Sequence, residues 1–314
     1  MPNEMQPGAG DRLARALLSL EGLSCGDGFG EQFFFMPFLD LKASVKDRRL
    51  PPGPWRLTDD SMMALSIFEM LRRHGEIREE QLAAHFGFLY DATRGYGGAM
   101  HALLLRFLAY GGKSWEQEAG ALFGGLGSYG NGSAMRVAPL GAYFADDLER
   151  VVEQARRSAV TTHLHPEAVA GAIATAIGAA VASRSRQEQS SLSRREFLES
   201  VLRFVPASEV SRGIEAALRL PEDTTAEWAG MQLGNGSKVT AMDTVPFVLW
   251  SAGGYMNDFE EAMWQTVNAL GDKDTTCAMV GGIVVLRTGL EGVPEEWRRR
   301  RESLGPLLGA GASQ

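Results

Sequence analysis

Apolar residues recur at helical spacing through most of the chain. Residues 61–73 carry apolar side chains at 62, 63, 65, 67, 68, 70 and 71, and Gly75 follows. This pattern is typical of a largely buried helix that ends at glycine. Residues 167–183 are rich in alanine and glycine and follow Pro166, a common first residue of helices. Helices are predicted over 13–23, 61–73, 100–110, 167–183, 195–204, 209–218, 259–269 and 275–287.

Strand-like alternation of apolar and polar residues is scarce. The best strand candidate is 245–249, and a helix fits this apolar segment equally well. The polar segment 184–193 predicts an exposed loop, and helical patterns of the same character flank it. We therefore predict an all-α fold with one compact domain over 11–305. The segments 1–10 and 306–314, rich in Gly, Pro, Ala and Ser, are predicted to be flexible tails.

Composition narrows the class of protein. The chain has 314 residues, 45% of them hydrophobic, which is enough for one large core. No run of 18 apolar residues and no secretory signal is recognisable, so a membrane span and export are not expected. With only two cysteines, the reducing cytoplasm is the expected compartment. A net charge of -8 argues against sequence-independent binding to nucleic acid.

Two acidic clusters stand at predicted helix starts. One is Thr58-Asp59-Asp60-Ser61 and the other is Asp272-Lys273-Asp274-Thr275. Each alone is explained by helix capping, since Thr and Asp are favoured at helix N-termini. Together they indicate more. If the two starts meet, four carboxylates converge and repel one another unless divalent cations such as Mg²⁺ or Mn²⁺ bind between them.

Two glycine-containing segments are further candidates. The segment 124–136 has five glycines within nine residues, so its backbone N–H groups could surround a phosphate, although an unliganded turn explains it as well. It does not match the P-loop pattern and follows no predicted strand. In Gly26-Asp27-Gly28-Phe29-Gly30-Glu31, Asp27 and Glu31 are four residues apart and share a helix face, where solvated carboxylates are the simpler interpretation.

Five motifs, in this order, make the chain resemble the ADP-ribosylglycohydrolases, from about residue 15 to about residue 290. Each motif alone is weakly specific, whereas their order and spacing together are specific. They are GDxxG at 26–30, TDD[TS] at 58–61, GNGxxMR at 130–136, THxH at 162–165 and DxDT at 272–275.

The resemblance implies an orthogonal bundle of helices with two Mg²⁺ or Mn²⁺ ions in a cleft. The implied metal ligands are Thr58, Asp59, Asp60, Asp272, Asp274 and Thr275. The loop from Ser128 to Met135 is implied to hold the diphosphate of ADP-ribose. The substrate-binding residues predicted on this basis are Asp27, Ser128, Tyr129, Gly130, Asn131, Gly132, Ser133, Met135 and His163.

The chain departs from the family pattern at Phe34. Several members place a catalytic glutamate there, seven residues after the aspartate of GDxxG. Glu31, one helical turn earlier, could substitute, and a metal-bound carboxylate is the alternative proton acceptor, so the expected catalytic residues are Glu31, Asp60 and Asp274. A lesser departure is Lys273, where many members have a small or hydroxyl-bearing residue.

Histidines and aromatic residues add little on their own. His163 and His165 have a spacing that zinc ligands also show, but no nearby Cys or third His completes such a site. The aromatic side chains that could stack on adenine are Tyr96, Tyr129, Trp250 and Tyr255. Only Tyr129 is assigned that role here, because it lies in the glycine-rich loop.

The predicted activity is metal-dependent hydrolysis of the bond between ADP-ribose and a protein side chain, with ADP-ribose as product. Arginine is the side chain expected first. The alternatives keep the same fold. The substrate could be serine-linked ADP-ribose, or nucleic-acid-linked or small-molecule ADP-ribose. The protein could also be an inactive ADP-ribose-binding protein, which Phe34 alone supports.

Overall fold

The computed structural model describes residues 8–310, and the regular structure in this range is helical. Outside the helices, backbone pairing between extended residues is limited in this range to two isolated bridges, Trp55 with Arg301 and Gly130 with Thr240. The prediction of an all-α fold is confirmed. A short 3₁₀ turn, Leu290–Gly292, lies between α17 and α18. The α-helices are α1 (Ala9–Glu31), α2 (Phe38–Asp47), α3 (Asp59–His74), α4 (Glu79–Phe88), α5 (Gly98–Tyr110), α6 (Trp115–Gly120), α7 (Leu122–Gly125), α8 (Gly132–Met135), α9 (Ala138–Tyr143), α10 (Leu148–Val160), α11 (Pro166–Gln187), α12 (Arg194–Leu202), α13 (Glu209–Arg219), α14 (Ala226–Leu233), α15 (Ala241–Gly254), α16 (Phe259–Asn268), α17 (Lys273–Thr288), α18 (Glu295–Arg300) and α19 (Leu304–Ala310).

The eight predicted helices are confirmed, as all or part of α1, α3, α5, α11, α12, α13, α16 and α17. The strand alternative for 245–249 is wrong, because this segment lies inside α15 and is buried on every side. A segment buried all round shows no periodicity from which a helix could be distinguished from a strand. The predicted loop 184–193 is shorter than expected, since α11 continues to Gln187.

Both predicted tails overlap helices. Residues 9 and 10 belong to α1, and residues 306–310 belong to α19. The remaining predicted tail segments, 1–7 and 311–314, lie outside the described residues. The helical domain therefore extends slightly beyond the predicted bounds at both ends.

Three glycines of α1, spaced four residues apart, lie directly against the backbone of α17. A Cβ atom built on any of them would fall 2.1–2.4 Å from a carbonyl oxygen of α17, with Gly22 facing Gly281, Gly26 facing Cys277 and Gly30 facing Lys273. No side chain fits at such a distance, so only glycine permits this approach. The pairing is antiparallel, and it brings the end of α1 against the start of α17.

Helix α11 occupies the middle of the core and packs against α8, α9, α10, α15 and α17. Its alanines and glycines allow this close packing, and a Cβ on Gly171 would lie 2.9 Å from the Cβ of Ala241 in α15. By length and a mean hydropathy of 1.4, α11 could cross a membrane, but 83% of its most apolar window is buried inside the protein. It thus occupies the place of a core helix, in a chain for which no membrane span was expected.

The α1–α17 contact predicts a sharp difference between two glycines of the same helix. In Gly26→Ala the new methyl group meets the Cys277 carbonyl oxygen 2.1 Å away, whereas a methyl at Gly10 meets nothing within 4 Å. We expect Gly26→Ala to lower the free energy of unfolding by about 1–3 kcal/mol, as overpacked cores do. Urea denaturation measures this change.

Gly10→Ala is the matched control. It should leave the free energy of unfolding unchanged or raise it by up to ~1 kcal/mol, because alanine favours helices. Equal stability of the two variants would mean that α1 and α17 are not in backbone contact.

Candidate active site

A cleft of about 470 Å³ opens where the start of α17, the start of α3 and the glycine-rich loop meet. Most of the residues predicted from sequence line it. Those that line it are Asp59, Asp272, Asp274 and Thr275 of the acidic clusters, and Ser128, Tyr129, Gly130, Asn131, Gly132, Met135 and His163 of the predicted substrate-binding set. The two acidic clusters, far apart in sequence, thus share one cavity.

Asp27 lies beneath the cleft and holds the start of α3. Its carboxylate accepts hydrogen bonds from the backbone N–H of Thr58 (3.0 Å), the Thr58 hydroxyl (2.7 Å), the backbone N–H of Ser61 (3.3 Å) and the Ser61 hydroxyl. Asp27 is fully buried, and it is not among the cleft-lining residues. In the structure its carboxylate positions the Thr-Asp-Asp-Ser cluster, and its contact with substrate stays a prediction.

The two acidic clusters touch through Asp60 and Thr275. The Thr275 hydroxyl lies 3.3 Å from Asp60 Oδ2, and the Thr58 hydroxyl lies 3.1 Å from the same oxygen. Asp60 is almost completely buried, as are both threonines. Residues 215 positions apart in the chain therefore form one polar cluster directly under the cleft.

Capping explains one of the two helix starts and not the other. Thr58 caps α3, because its side chain accepts a hydrogen bond from the Asp60 N–H. Asp272 stands at the same position before α17, yet its side chain makes no capping hydrogen bond. Its Oδ2 accepts a hydrogen bond from Asn131 Nδ2 at 2.8 Å, which ties α17 to the glycine-rich loop.

The carboxylates in this cluster repel one another. Burial, followed by the charge of Asp274, raises the pKa of Asp272 to about 8. Burial also raises the pKa of Asp27 to about 7, with a further increase from Asp274. The pKa values of Asp59 and Asp60 rise well above the usual range for the same two reasons, burial first and neighbouring carboxylates second. Bound cations would relieve this repulsion.

Two oxygens of the cluster fit a role as metal ligands. Asp60 Oδ1 and Asp274 Oδ1 are buried and have no hydrogen-bond partner, which is costly for a carboxylate oxygen. In residues 8–310 no three Asp, Glu, His or Cys side chains are already gathered around one point as a metal site. The carboxylate and threonine hydroxyl oxygens of the two acidic clusters are nevertheless hard donors of the kind that Mg²⁺ and Mn²⁺ prefer.

Glu31 ends α1 next to the acidic cluster. Its side chain is half-buried, and its carboxylate makes no hydrogen bond or ion pair to any described residue. Burial and then the charge of Asp274 raise its pKa, while Arg56 opposes the rise. Phe34, three residues later, lines the cleft, and the Lys273 ammonium lies 5.5 Å from the centre of its ring.

The glycine-rich loop lies over His163. A Cβ on Gly132 would meet this imidazole at 2.9 Å, so glycine is needed there. The His163 Nδ1 is 2.7 Å from the Thr162 hydroxyl, and burial lowers its pKa to about 3, so the ring is neutral. The Ser133 hydroxyl donates to the Ala168 carbonyl instead of facing the cleft, so its predicted substrate contact cannot come from the side chain.

Of the four aromatic residues considered for adenine stacking, only Tyr129 faces the cleft. It is 42% exposed, and the Phe123 ring lies 6.0 Å away at 31°. Tyr96 and Trp250 are buried, and Tyr255 lies at the far end of α15. The His165 Nδ1 accepts a hydrogen bond from the Glu167 N–H and caps α11.

Two segments that line the cleft were not predicted from the sequence. They are Gly95 with residues 97–100, and residues 238–240. The first segment bears no motif that would have revealed it. The second follows Gly234-Asn235-Gly236-Ser237, which repeats the tetrapeptide Gly130-Asn131-Gly132-Ser133. That repeat was the available signal. Phe123 was also missed, since it lies just before the glycine-rich segment.

Known proteins similar to this chain match it over most of its length. The family model described as ADP-ribosylglycohydrolase matches residues 9–310. The ADP-ribosylhydrolase ARH3 of Homo sapiens is 28% identical over 333 residues, covering 94% of this chain and 91% of that protein. An uncharacterized protein of Archaeoglobus fulgidus is 31% identical over 290 residues, covering 89% and 83%. A solved structure described as an ADP-ribosylglycohydrolase-related protein complex has a TM-score of 0.63 at 26% identity, covering 96% of this chain and 97% of that one.

The position of Asp27 predicts an effect on stability. In Asp27→Asn an amide nitrogen, which only donates, replaces one carboxylate oxygen, and the neutral amide oxygen is a weaker acceptor for the Thr58 and Ser61 N–H groups. We expect the free energy of unfolding to fall by about 1–3 kcal/mol, the scale of hydrogen bonds to a charged group. Urea denaturation measures it.

Asp223→Asn, in an exposed loop, is the control and should change stability by less than ~0.5 kcal/mol. If Asp27→Asn instead kept full stability and lost only affinity for a ligand, the original prediction of a substrate contact would be right.

Proposed function

The chain belongs to the ADP-ribosylglycohydrolase family, and from this premise we propose that its cleft binds ADP-ribose and hydrolyses the bond that joins it to a modified protein side chain. The family's activity is hydrolysis of glycosidic linkages of ADP-ribose. The observation that carries the proposal is the contact between Thr275 and Asp60, which unites both acidic clusters under the cleft. A glycine-rich loop suited to phosphate borders the same cavity.

We propose two Mg²⁺ or Mn²⁺ ions as cofactors. Thr58, Asp59, Asp60, Asp272, Asp274 and Thr275 would hold them. The unpartnered oxygens of Asp60 and Asp274 and the mutual repulsion of the carboxylates support this ligand set. When bound, such ions supply Lewis-acid polarisation of ribose oxygens and lower the pKa of a coordinated water.

Glu31 is proposed as the group that accepts a proton from the attacking water. Its carboxylate is free of hydrogen bonds to described residues, lies near Asp274 and has a raised pKa, all of which suit a general base. Cleavage at C1″ of the distal ribose passes through an oxocarbenium-like state, as in other glycosidic hydrolyses.

The glycine-rich loop is proposed to hold the diphosphate through its backbone N–H groups. Neutral His163 supports the loop from below and keeps Gly130 and Gly132 close to the ligand. Tyr129, with Phe123 beside it, offers a stacking surface for adenine at the mouth of the cleft. Binding energy from this remote end positions the reacting ribose at the acidic end.

The linkage we propose first is the N-glycosidic bond to arginine, as predicted from the sequence. The O-glycosidic bond to serine is the alternative that the same residues could serve. The test is release of free ADP-ribose from arginine-linked and serine-linked peptides, with Mg²⁺ or Mn²⁺ and with EDTA. Release from neither peptide would contradict the proposal, and binding of ADP-ribose without release would favour the inactive alternative.

The metal-ligand assignment predicts opposite effects on activity and stability. Asp60→Asn or Asp274→Asn should abolish turnover and weaken Mn²⁺ binding measured by calorimetry, while the far-ultraviolet circular dichroism stays helical. In EDTA the unfolding midpoint of Asp60→Asn should equal or exceed that of the wild type, because one buried repelling carboxylate is gone.

Asp223→Asn should match the wild type in every measurement. Full activity of either ligand variant at limiting metal concentration would refute the assignment.

The assignment of Glu31 predicts a purely kinetic loss. Glu31→Gln should lower kcat at least ~100-fold, the usual contribution of a general base. Affinity for Mn²⁺ and for ADP-ribose should stay close to the wild-type values, because Glu31 is neither a proposed metal ligand nor a predicted substrate-binding residue. Exposed Glu188→Gln serves as the control. A near-normal rate in Glu31→Gln would transfer the base role to a metal-bound aspartate.

A further inference from the structure

The tetrapeptide Gly-Asn-Gly-Ser occurs twice in the chain, and both copies border the same cleft. The first, 130–133, lies in the predicted phosphate loop. The second, 234–237, leads into Lys238, Val239 and Thr240, which also line the cleft. The second copy also braces α17, because the Asp272 N–H donates to the Asn235 carbonyl at 3.1 Å. A Cβ on Gly236 would lie 2.5 Å from the Asp272 Cβ.

The two segments pair side by side. The Asn131 N–H donates to the Val239 carbonyl at 3.3 Å, and the Ala241 N–H donates to the Tyr129 carbonyl at 3.0 Å. Gly130 and Thr240 form the antiparallel bridge between them. Lys238 lies two residues before the bridge residue Thr240, and Lys238 and Gly132 both line the cleft.

Residues 236–240 are held in place by their own hydrogen bonds. The Val239 N–H donates to the Gly236 carbonyl at 2.7 Å, and the Lys238 N–H donates to Asp243 Oδ2 at 2.9 Å. Val239 has a φ of +55°, a strained conformation for a β-branched residue. Strain of this kind persists where the surrounding structure imposes it, and such places cluster at ligand sites.

Lys238 carries the one cationic side chain among the described residues that line the cleft, against three aspartates. Its side chain is 77% exposed, and its Nζ lies 3.7 Å from Asp243 Oδ1, too far for a normal hydrogen bond. The ammonium therefore keeps donors available for a ligand. In a cleft lined by three aspartates, this ammonium is a side chain that can form an ion pair with a bound anion.

We propose that residues 236–240 form a second anion-binding wall of the cleft, in which the Lys238 ammonium binds the phosphates of a nucleotide held by the glycine-rich loop. This inference rests on the proposed function, in that the ligand is taken to be ADP-ribose. The inference goes beyond the proposed function because it assigns a cationic phosphate contact to a residue outside the five motifs. Lys238 then adds to the preference of the cleft for phosphorylated over unphosphorylated nucleosides that the glycine-rich loop provides.

Calorimetric titration of wild type, Lys238→Met and Lys238→Arg with ADP-ribose, AMP and adenosine tests the proposal. In Lys238→Met we expect Kd for ADP-ribose and AMP to rise about fivefold, the scale of an exposed ion pair, while Kd for adenosine stays unchanged. Lys238→Arg should restore most of the affinity. The difference between wild type and Lys238→Met should shrink at high salt.

Lys113→Met, an exposed lysine after α5, removes the same charge away from the cleft and should leave all three Kd values unchanged. Equal affinities of wild type and Lys238→Met for AMP and ADP-ribose would overturn the proposal, as would a wild type that binds neither ligand. A wild type that binds AMP through Lys238 but releases no ADP-ribose from peptides would contradict the proposed function alone.

Discussion

The closeness of α1 to α17 is the constraint on which the cleft depends. Glycines 22, 26 and 30 leave no side chain between the two helices, so the end of α1 lies against the start of α17. Asp27, in the same stretch of α1, holds the start of α3 through four hydrogen bonds. Helix α1 therefore positions both acidic clusters at once, and a larger separation between α1 and α17 would move Asp274 away from Asp60. The GDxxG motif contributes packing and a buried anchor more than it contributes ligand contacts.

The cleft is built at the expense of stability. The pKa values of Asp27, Asp59, Asp60 and Asp272 are raised, first by burial and then by neighbouring carboxylates, and these shifts express the cost of burying like charges near one another. Apolar residues at these positions would give a more stable core. Val239, held at positive φ on the cleft wall, adds backbone strain. Both costs are concentrated in the cleft, where binding of cations and an anionic ligand can offset them.

Long helices and most cleft residues could be predicted from the sequence, because periodicity and motif order report on local structure. The sequence could not show which helix lies against which, so the packing of the glycines at 26 and 30 against α17 could not be predicted from it. Asp27 was assigned to substrate for the same reason. The role of Asp272 also depended on tertiary structure. The fold brings Asn131 within hydrogen-bond distance of its side chain, which accepts this hydrogen bond and makes no helix-capping one. Gly95, Gly97 and residues 238–240 reach the cleft from loops, which leave no periodic signal, and residues 98–100 reach it as the first turn of α5.

The replacement of the expected glutamate by Phe34 has a structural counterpart one turn earlier. Residues three apart on a helix or helical turn lie on the same side, and the Phe34 N–H still donates to the Glu31 carbonyl at 3.0 Å. Glu31 is nearer to α17, because neighbouring Gly30 contacts the Lys273 backbone. Glu31 is half-buried whereas Phe34 is exposed, and burial followed by the charge of Asp274 raises the pKa of Glu31. A carboxyl group with a pKa closer to neutrality is a better proton acceptor at neutral pH. Phe34 is then free to form an apolar wall of the cleft, with the Lys273 ammonium near its ring.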